Sequence, residues 1–400
     1  MIAVVGGGAA GFFAAITAAS NGQKVVLLEA GNKLLAKVRI SGGGRCNVTN
    51  GAETLMNLLD GYPRGHKELR GPFTRFNNQH TMQWFEDRGV SLKTEPDGRV
   101  FPVSDDSSSI VECLLSEAKQ YDIHILMNHR VEQIIPYAKG FKLIIGGSAM
   151  EVDKVIVTTG GGRDMNAFRW LSELGLEIID PVPSLFTFNI PQSPFKELMG
   201  VAIPDVEVTI MNSKFCNRGP VLVTHWGLSG PAVLKLSSLA ARYLSGVNYV
   251  FSIRLDFLPG ESFESVMEIF NDQKKKHPRQ TVSSFRMEKF TARFWLRLIQ
   301  LSGIPLELDW GNVSKAQLRT LVETTKNSRL QVRGKTTFKE EFVTSGGISL
   351  KEIDFKTMES KKIPGLYFAG EVLDIDGVTG GYNFQAAWTT AFIAGESAAG

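Results

Sequence analysis

The sequence predicts an α/β protein in which a parallel sheet with crossover helices is interrupted by a β-rich and helical insertion. Three observations carry that prediction: a strand–helix–strand pattern at the first residues, apolar strands ending in glycines near 160 and 370, and a change of character after Asp180. Ile2–Val5 is a short apolar strand, Ala9–Ser20 an alanine-rich helix, and Val25–Leu28 a second apolar run after the polar turn Asn21-Gly22-Gln23. Residues 31–51 read as a long loop rich in Gly, Arg and Asn, a composition that favours function. The runs IHILM, VEQIIPY, FKLIIG and EVDKVIVTTGG read as strands, the last as one continuous buried strand ending in glycines. The proline-rich PVPSLFTFNIPQSP leads into strand-like Val206–Met211 and Val221–Thr224. From Glu261 to Lys326 the pattern is helical, with MEKFTARFWLRLIQLSG placing apolar residues three and four apart and stopping at Gly303. A strand signal returns at Leu330–Val332, and GLYFAG with an apolar helix closes the chain.

Composition narrows the class. Forty of 400 residues are glycine, without a G-X-Y period, so a collagen-like chain is excluded. Fourteen of the forty fall in the 24 positions of 6–11, 42–44, 160–162 and 370–381. Elsewhere glycine is close to its ordinary level of about 7%. The 43% apolar and 21% charged residues, with a mean hydropathy of −0.03, describe a folded, soluble chain. A net charge of +3 gives no strong overall field and argues against nucleic acid. Cys46, Cys113 and Cys216 are odd in number, far apart and without C-x-x-C, which implies no disulfide framework or metal site and a reducing, cytoplasmic setting. The apolar N-terminus lacks the basic segment of a secretory signal, and no segment is long enough for a membrane span.

Gly6-Gly7-Gly8-Ala9-Ala10-Gly11 is G-x-G-x-x-G between strand and helix. Gly6 permits the tight turn, Gly8 lets backbone approach a pyrophosphate, and Gly11 allows close helix–strand packing. The helix N-terminus, with Ala9 and Ala10, supplies amides and a positive dipole end for phosphate. Glu29, followed by Ala30, closes the second strand where a carboxylate accepts from the ribose hydroxyls of an adenosine. This predicts a dinucleotide. Two further segments favour FAD over NAD by their resemblance to flavoproteins: Thr158-Thr159-Gly160-Gly161 is similar to the sharp turn where such proteins return to the dinucleotide, and Gly370-Glu371 followed by Gly380-Gly381-Tyr382-Asn383-Phe384-Gln385 and a helix is similar to their closing segment. A helix N-terminus aimed at the flavin stabilises the negative charge of its reduced form.

The opening VVGGGAAG, the run Lys37-x-x-x-Ser41-Gly42-Gly43-Gly44-Arg45-Cys46-Asn47-Val48-Thr49-Asn50 and AGEVLDIDGVTGGYNFQAAW resemble a bacterial family of FAD-dependent flavoproteins, the NAD(P)/FAD-dependent oxidoreductases that include aminoacetone-oxidase-like members. More distantly the chain resembles glutathione-reductase-like and fumarate-reductase-like flavoproteins. The resemblance implies a Rossmann-like FAD-binding domain built from both ends of the chain, with an inserted β-barrel-like region and a small helical region. The boundaries it implies are 1–185 and 336–400 for the FAD-binding domain, 186–258 for the β-rich insert, 259–326 for a helical subdomain and 327–335 for a return strand. It also implies that the loop 37–50 lies over the pyrophosphate and flavin, with Ser41, the glycines, Arg45 and Asn47 as donors, and that Val131 adjoins the cofactor. A first strand beginning almost at Met1 predicts weaker flavin retention on purification.

A flavin supplies the redox chemistry, so the protein positions a substrate against it. Cys46 is a candidate for flavin contact, because Arg45 beside it favours a thiolate, the alternative being a packed small side chain. Lys37 and Arg45 are candidate anion contacts. His225, in Thr-His-Trp-Gly-Leu-Ser-Gly-Pro, is a candidate for proton transfer. Lys274-Lys275-Lys276-His277-Pro278-Arg279 reads as a solvated helix end, and Phe290, Phe294 and Trp295 as helix core. The expected function is FAD-dependent oxidation or reduction of a small organic substrate, with NAD(P)H or dioxygen as the second partner. No second G-x-G-x-x-G is present, so NAD(P)H acts only as a transient reductant. The alternative is a flavin-dependent RNA-modifying or redox-sensing protein whose insert binds a macromolecule.

Overall fold

A computed structural model of the chain describes residues 1–285, 287–336 and 343–400. They form two compact units, Met1–Ser184 with Phe338–Gly400, and Leu185–Thr337.

In the first unit the all-apolar runs Ile2–Val5 and Val25–Leu28 are buried throughout, as central parallel strands covered on both faces must be. The sheet runs in the order Ile353–Asp354, Glu359–Ser360, Leu366–Phe368, Lys154–Val157, Ile2–Val5, Val25–Glu29, His124–Met127, the last five strands being mutually parallel. Val5 lies level with both Val157 and Leu28, so the three central strands end together. Against the sheet lie the first helix, Ala9–Ser20, and the closing helix, Tyr382–Ala399. They run in the same direction: Phe13 meets Trp388 at 5.3 Å, Gly395 sits on Ala14, Thr17 and Ala18, and Gln23 Nε2 donates to the Ala399 carbonyl at 3.0 Å. A Cβ at Gly395 would stand 2.6 Å from the Ala14 carbonyl oxygen, so only glycine lets the two backbones meet there.

Two local expectations are corrected. Residues 31–51 are not a continuous loop: they contain the helix Ala36–Ile40 and the tight turn Ser41–Gly44. Burial of Leu35 and Val38 stabilises that short helix, a signal hidden by the surrounding glycines. EVDKVIV is not one strand either. Ser148–Val152 completes an antiparallel meander with Val131–Tyr137 and Gly140–Ile145, whereas Lys154–Val157 joins the parallel sheet. Both halves are apolar enough for a strand, and only the switch of partner at Asp153 separates them.

The second unit holds an antiparallel sheet in the order Ser328–Arg333, Val250–Asp256, Ala202–Ile210, Cys216–Val223, Gly227–Ser229, Thr187–Asn189, Lys335–Thr336. Its first and last strands are separated in sequence only by Gly334, at φ +96°, so the sheet curls round on itself. Ile253, Leu255 and Val332 face a core shared with the helices Phe263–Lys276, Ala292–Leu301 and Lys315–Lys326, and Phe290, Phe294 and Trp295 are buried in it. Lys276, in the last turn of its helix, pairs with Asp272 one turn earlier at 3.0 Å. The expected restart of the first unit at 336 adjoins residues 337–342, which lie outside the described residues. Among the described residues no helix is long and apolar enough to cross a membrane.

Gly395→Val forces the closing helix off the first. We expect a loss of about 2 kcal/mol, the usual scale of overpacking, read as a lower urea midpoint with an unchanged slope.

Candidate functional site

The three glycines of the first turn do three different jobs. Gly6 adopts φ +117°, and a Cβ there would meet the Thr158 carbonyl oxygen at 2.6 Å. At Gly11 a Cβ would lie 1.8 Å from the Gly6 carbonyl oxygen, so glycine alone admits the helix at this distance from the strand. Gly8 has nothing within 4 Å on its side-chain face and leaves backbone open to a ligand. Thr158 Oγ1 lies 3.0 Å from the carbonyls of both Val5 and Gly6 and ties the turn to the neighbouring strand. The first bond within the helix is donated by Phe12 N–H to the Gly8 carbonyl at 3.0 Å. The amides of Ala9, Ala10 and Gly11 therefore point out of the helix end, where there is no side-chain cap and no acidic residue in the first turn. Glu29 closes the turn by accepting from Gly7 N–H and Gly31 N–H, both at 2.7 Å, with Ala30 exposed beside it. His129 N–H donates to the Glu29 carbonyl at 2.8 Å, which brings the segment leading to buried Val131 to the same strand end.

The closing helix repeats this arrangement. Its cap is Gly381, at φ +91°, where a Cβ would stand 2.2 Å from the Thr49 carbonyl oxygen. Its first internal bond is donated by Gln385 N–H, and it too has neither a side-chain cap nor an acidic first turn. The side chains of this end build the loop before it. Asn383 accepts from Gly377 N–H at 2.8 Å and donates to the Gly377 carbonyl at 3.0 Å. Buried Gln385 accepts from Thr49 Oγ1 at 2.5 Å and donates to Thr389 at 3.0 Å. Tyr382 accepts at its carbonyl from Tyr62 Oη at 2.6 Å, and Phe384 stacks on Trp388. Gly370, at φ +77°, rests against Ala10 and joins the two helix ends. Next to it Glu371 accepts from Lys37 Nζ at 2.6 Å and from Thr344 N–H at 2.9 Å. A Cβ at Gly161 would collide with Thr344 and Glu371, while Gly160, at φ +78°, and exposed Thr159 face outward. Thr344 was missed in the sequence; the signal was its place two residues before Gly346-Gly347, whereas Thr158 and Thr49 stood inside motifs already singled out.

The loop 41–47 departs from expectation. Gly42, Gly43 and Gly44 are left-handed in succession, at φ +59°, +70° and +88°, and the last two face open space. Ser41 turns its hydroxyl back to the Val38 carbonyl at 3.0 Å. Arg45 is not held out to a ligand: its guanidinium pairs with Glu95 at 2.7 Å and Asp105 at 3.4 Å and lies 3.9 Å over the Phe101 ring. Asn47, with its amide oriented to satisfy both ends, donates to the Thr49 and Val100 carbonyls and accepts from Gly381 N–H at 2.9 Å. The thiolate expected at Cys46 is contradicted. The residue is fully buried, and removal from water pushes its thiol up to about 12, with only a hydrogen bond from Ser41 opposing. Arg45 is turned away to its own carboxylates. His225 lies in the second unit, exposed in the turn between Cys216–Val223 and Gly227–Ser229, with its ring 3.9 Å from that of Trp226.

In the native chain a thiol reagent should label exposed Cys216 and leave Cys46 untouched between about pH 7 and pH 10. Peptide mapping after iodoacetamide treatment checks this; labelling of Cys46 that rises with pH in that range would restore the thiolate.

Two uncapped helix ends lie at the C-terminal ends of the parallel strands, with glycine backbone facing open space and a carboxylate at the adjacent strand end. That donor set suits a dinucleotide with a pyrophosphate and an anionic ring. Among the described residues no cluster of His, Cys, Asp or Glu is arranged to hold a metal. The family model described as HI0933-like protein Rossmann domain matches residues 1–397. The ribosomal RNA dihydrouridine synthase of Escherichia coli (strain K12) is 32% identical over 404 residues, covering 97% of this chain and 95% of that protein. The 3-dehydro-bile acid delta(4,6)-reductase of Clostridium scindens is 30% identical over 408 residues, covering 100% and 98%. Among solved structures, the 3-ketosteroid-delta4-(5alpha)-dehydrogenase of Rhodococcus jostii RHA1 shares the fold, with a TM-score of 0.53 at 15% identity over 100% of this chain and 96% of that one. The chain belongs to the HI0933-like Rossmann family and is an FAD-dependent oxidoreductase.

Proposed function

We propose that this protein reduces the carbon–carbon double bond of a uracil base in RNA, with NAD(P)H as the source of electrons. The observation that carries the choice of RNA is a segregation of charge that the whole-chain value of +3 conceals. Residues 185–337 hold 20 Lys and Arg against 12 Asp and Glu, a net +8, while the remainder of the chain is net −5. A basic unit within a chain whose remainder is acidic is the electrostatic footprint of a polyanion-binding domain. It removes the argument from near-zero net charge and favours the macromolecular reading over a free small molecule. The names of the two relatives fit one chemistry: dihydrouridine is uridine with two hydrogens added across a double bond conjugated to a carbonyl, and a Δ4,6-reductase also saturates such a system.

The proposed balance is simple. NAD(P)H and a proton are consumed, a hydride equivalent is added to C6 of the base and a proton to C5, and NAD(P)⁺ and dihydrouridine are released. FAD, when bound, carries the hydride between nicotinamide and base. We assign the adenosine to Glu29, the pyrophosphate to the amides of Ala9, Ala10 and Gly11 with Gly8, Gly43 and Gly44, and the flavin end to the helix end at Gly381–Phe384 with Glu371 beside it. Lys37 is held on Glu371 at that end. With FAD bound, the fixed backbone dipoles at this helix end would stabilise negative charge on the ring without reorganisation. Arg45 and Asn47 act by holding the loop in its left-handed course.

Incubating the protein with FAD, NADPH or NADH and ribosomal RNA transcribed in vitro should yield dihydrouridine by nucleoside mass spectrometry. No dihydrouridine, together with rapid NAD(P)H-dependent saturation of a steroid enone, would overturn the RNA reading in favour of a small-molecule reductase. Gly8→Ala places its Cβ where no atom of the folded chain lies within 4 Å, on the face left open for the ligand. It should leave the thermal transition of FAD-free protein unchanged while weakening FAD binding by at least about tenfold, the equivalent of 1.4 kcal/mol, by fluorescence titration.

A further inference from the structure

In the second unit the strands Ser328–Arg333 and Val250–Asp256 alternate strictly, with Leu330, Val332, Phe251, Ile253 and Leu255 turned into the core. Their other faces carry Arg329, Gln331 and Arg333 on the edge strand and Val250, Ser252 and Arg254 on its neighbour. The register sets Arg254 directly opposite Arg329. Two like charges across an antiparallel pair are unfavourable, and a fold with no use for them would place a carboxylate at one. The carboxylates nearby are already engaged: Glu207 by Arg254 at 3.2 Å, Asp205 by Arg218 at 2.7 Å, and Asp256 by Lys326 at 2.7 Å. Among the described residues Arg329 and Arg333 have no ion-pair or hydrogen-bond partner for their guanidinium groups, and both are exposed. Four residues of extended strand set them about 13 Å apart, with Gln331 between them paired to Ser252 at 2.8 Å.

We infer that this outward sheet face, with Arg254, Arg329 and Arg333 as its charged row, is the docking surface for the phosphodiester backbone of RNA. The inference rests on the RNA reading of the substrate and adds where the RNA is held. Planar guanidinium groups bind phosphate oxygens bidentately, and the polar row of Gln331 and Ser252 between them offers further hydrogen bonds without sequence readout. Such a track positions the strand and leaves the choice of base to the unit that holds the cofactor.

The test uses FAD-loaded full-length protein and fluorescein-labelled ribosomal RNA transcribed in vitro, with anisotropy titrations across a salt series. The double variant R329Q/R333Q should bind about tenfold more weakly, with the slope of log affinity against log salt reduced by about one for each arginine removed. Flavin content and absorption spectrum should match the parent, and R329K/R333K should recover most of the binding. Parent protein that shows no salt-dependent RNA binding would sink the RNA reading itself. Parent binding with an unchanged slope in R329Q/R333Q would overturn this face alone, leaving the proposed function standing. Loss of binding to phosphatidylglycerol vesicles with RNA affinity intact would assign the face to an anionic lipid surface and equally overturn it.

Discussion

Everything at the candidate site depends on backbone meeting backbone at Gly6, Gly11 and Thr158. The first helix can start directly at the end of its central strand only because Gly11 lies against the Gly6 carbonyl, and Gly6 can turn there only because it has no Cβ to meet Thr158. Gly395 performs the same service between the two long helices. Packed in the same direction, these helices bring two positive dipole ends to one end of the sheet, an arrangement that is electrostatically unfavourable until an anion lies between or beside them. Neither end is neutralised by a cap or an acidic first turn. The fold therefore holds a standing preference for a negatively charged ligand at that end, and the anionic portions of FAD match it.

From that constraint follows a division of labour between backbone and side chains. The polar side chains around the site mostly fix its shape. Asn47 bridges its own loop to the Gly381 amide, Asn383 pins Gly377, Gln385 holds Thr49, and Arg45 is clamped by Glu95, Asp105 and Phe101. The groups left facing outward are backbone at Gly8, Gly43, Gly44 and Gly160, with the Lys37–Glu371 pair. Rigid amides suit a cofactor that must be held in one pose, since little entropy is lost when fixed dipoles meet it.

The second unit obeys a different rule. Its sheet alternates an apolar face, closed by three helices, with a polar face rich in arginine. Charge is apportioned between the units, so the near-neutral whole is a sum of a basic part and an acidic part.

The parallel sheet, the first and last helices and the glycine turns were legible in the residues themselves, because each is a local pattern: buried apolar runs, G-x-G-x-x-G between strand and helix, glycine before an alanine-rich stretch. The one-turn helix at Ala36–Ile40 and the break at Asp153 were not, since a short apolar segment is compatible with several partners until the sheet selects one. The same limit governed the side chains. Sequence set Arg45 beside Cys46 and suggested a thiolate, but neighbours in the chain are not neighbours in charge. Only the tertiary structure turned Arg45 to Glu95 and Asp105, distant in sequence, and removed Cys46 from water. By itself, then, the sequence determined the backbone cradle and with it the class of cofactor, because a positive φ or a missing Cβ is a property of the residue. Which side chains face that cradle, and which charges stand opposite one another on the second sheet, was decided by packing and register, which bring together residues that no local pattern connects.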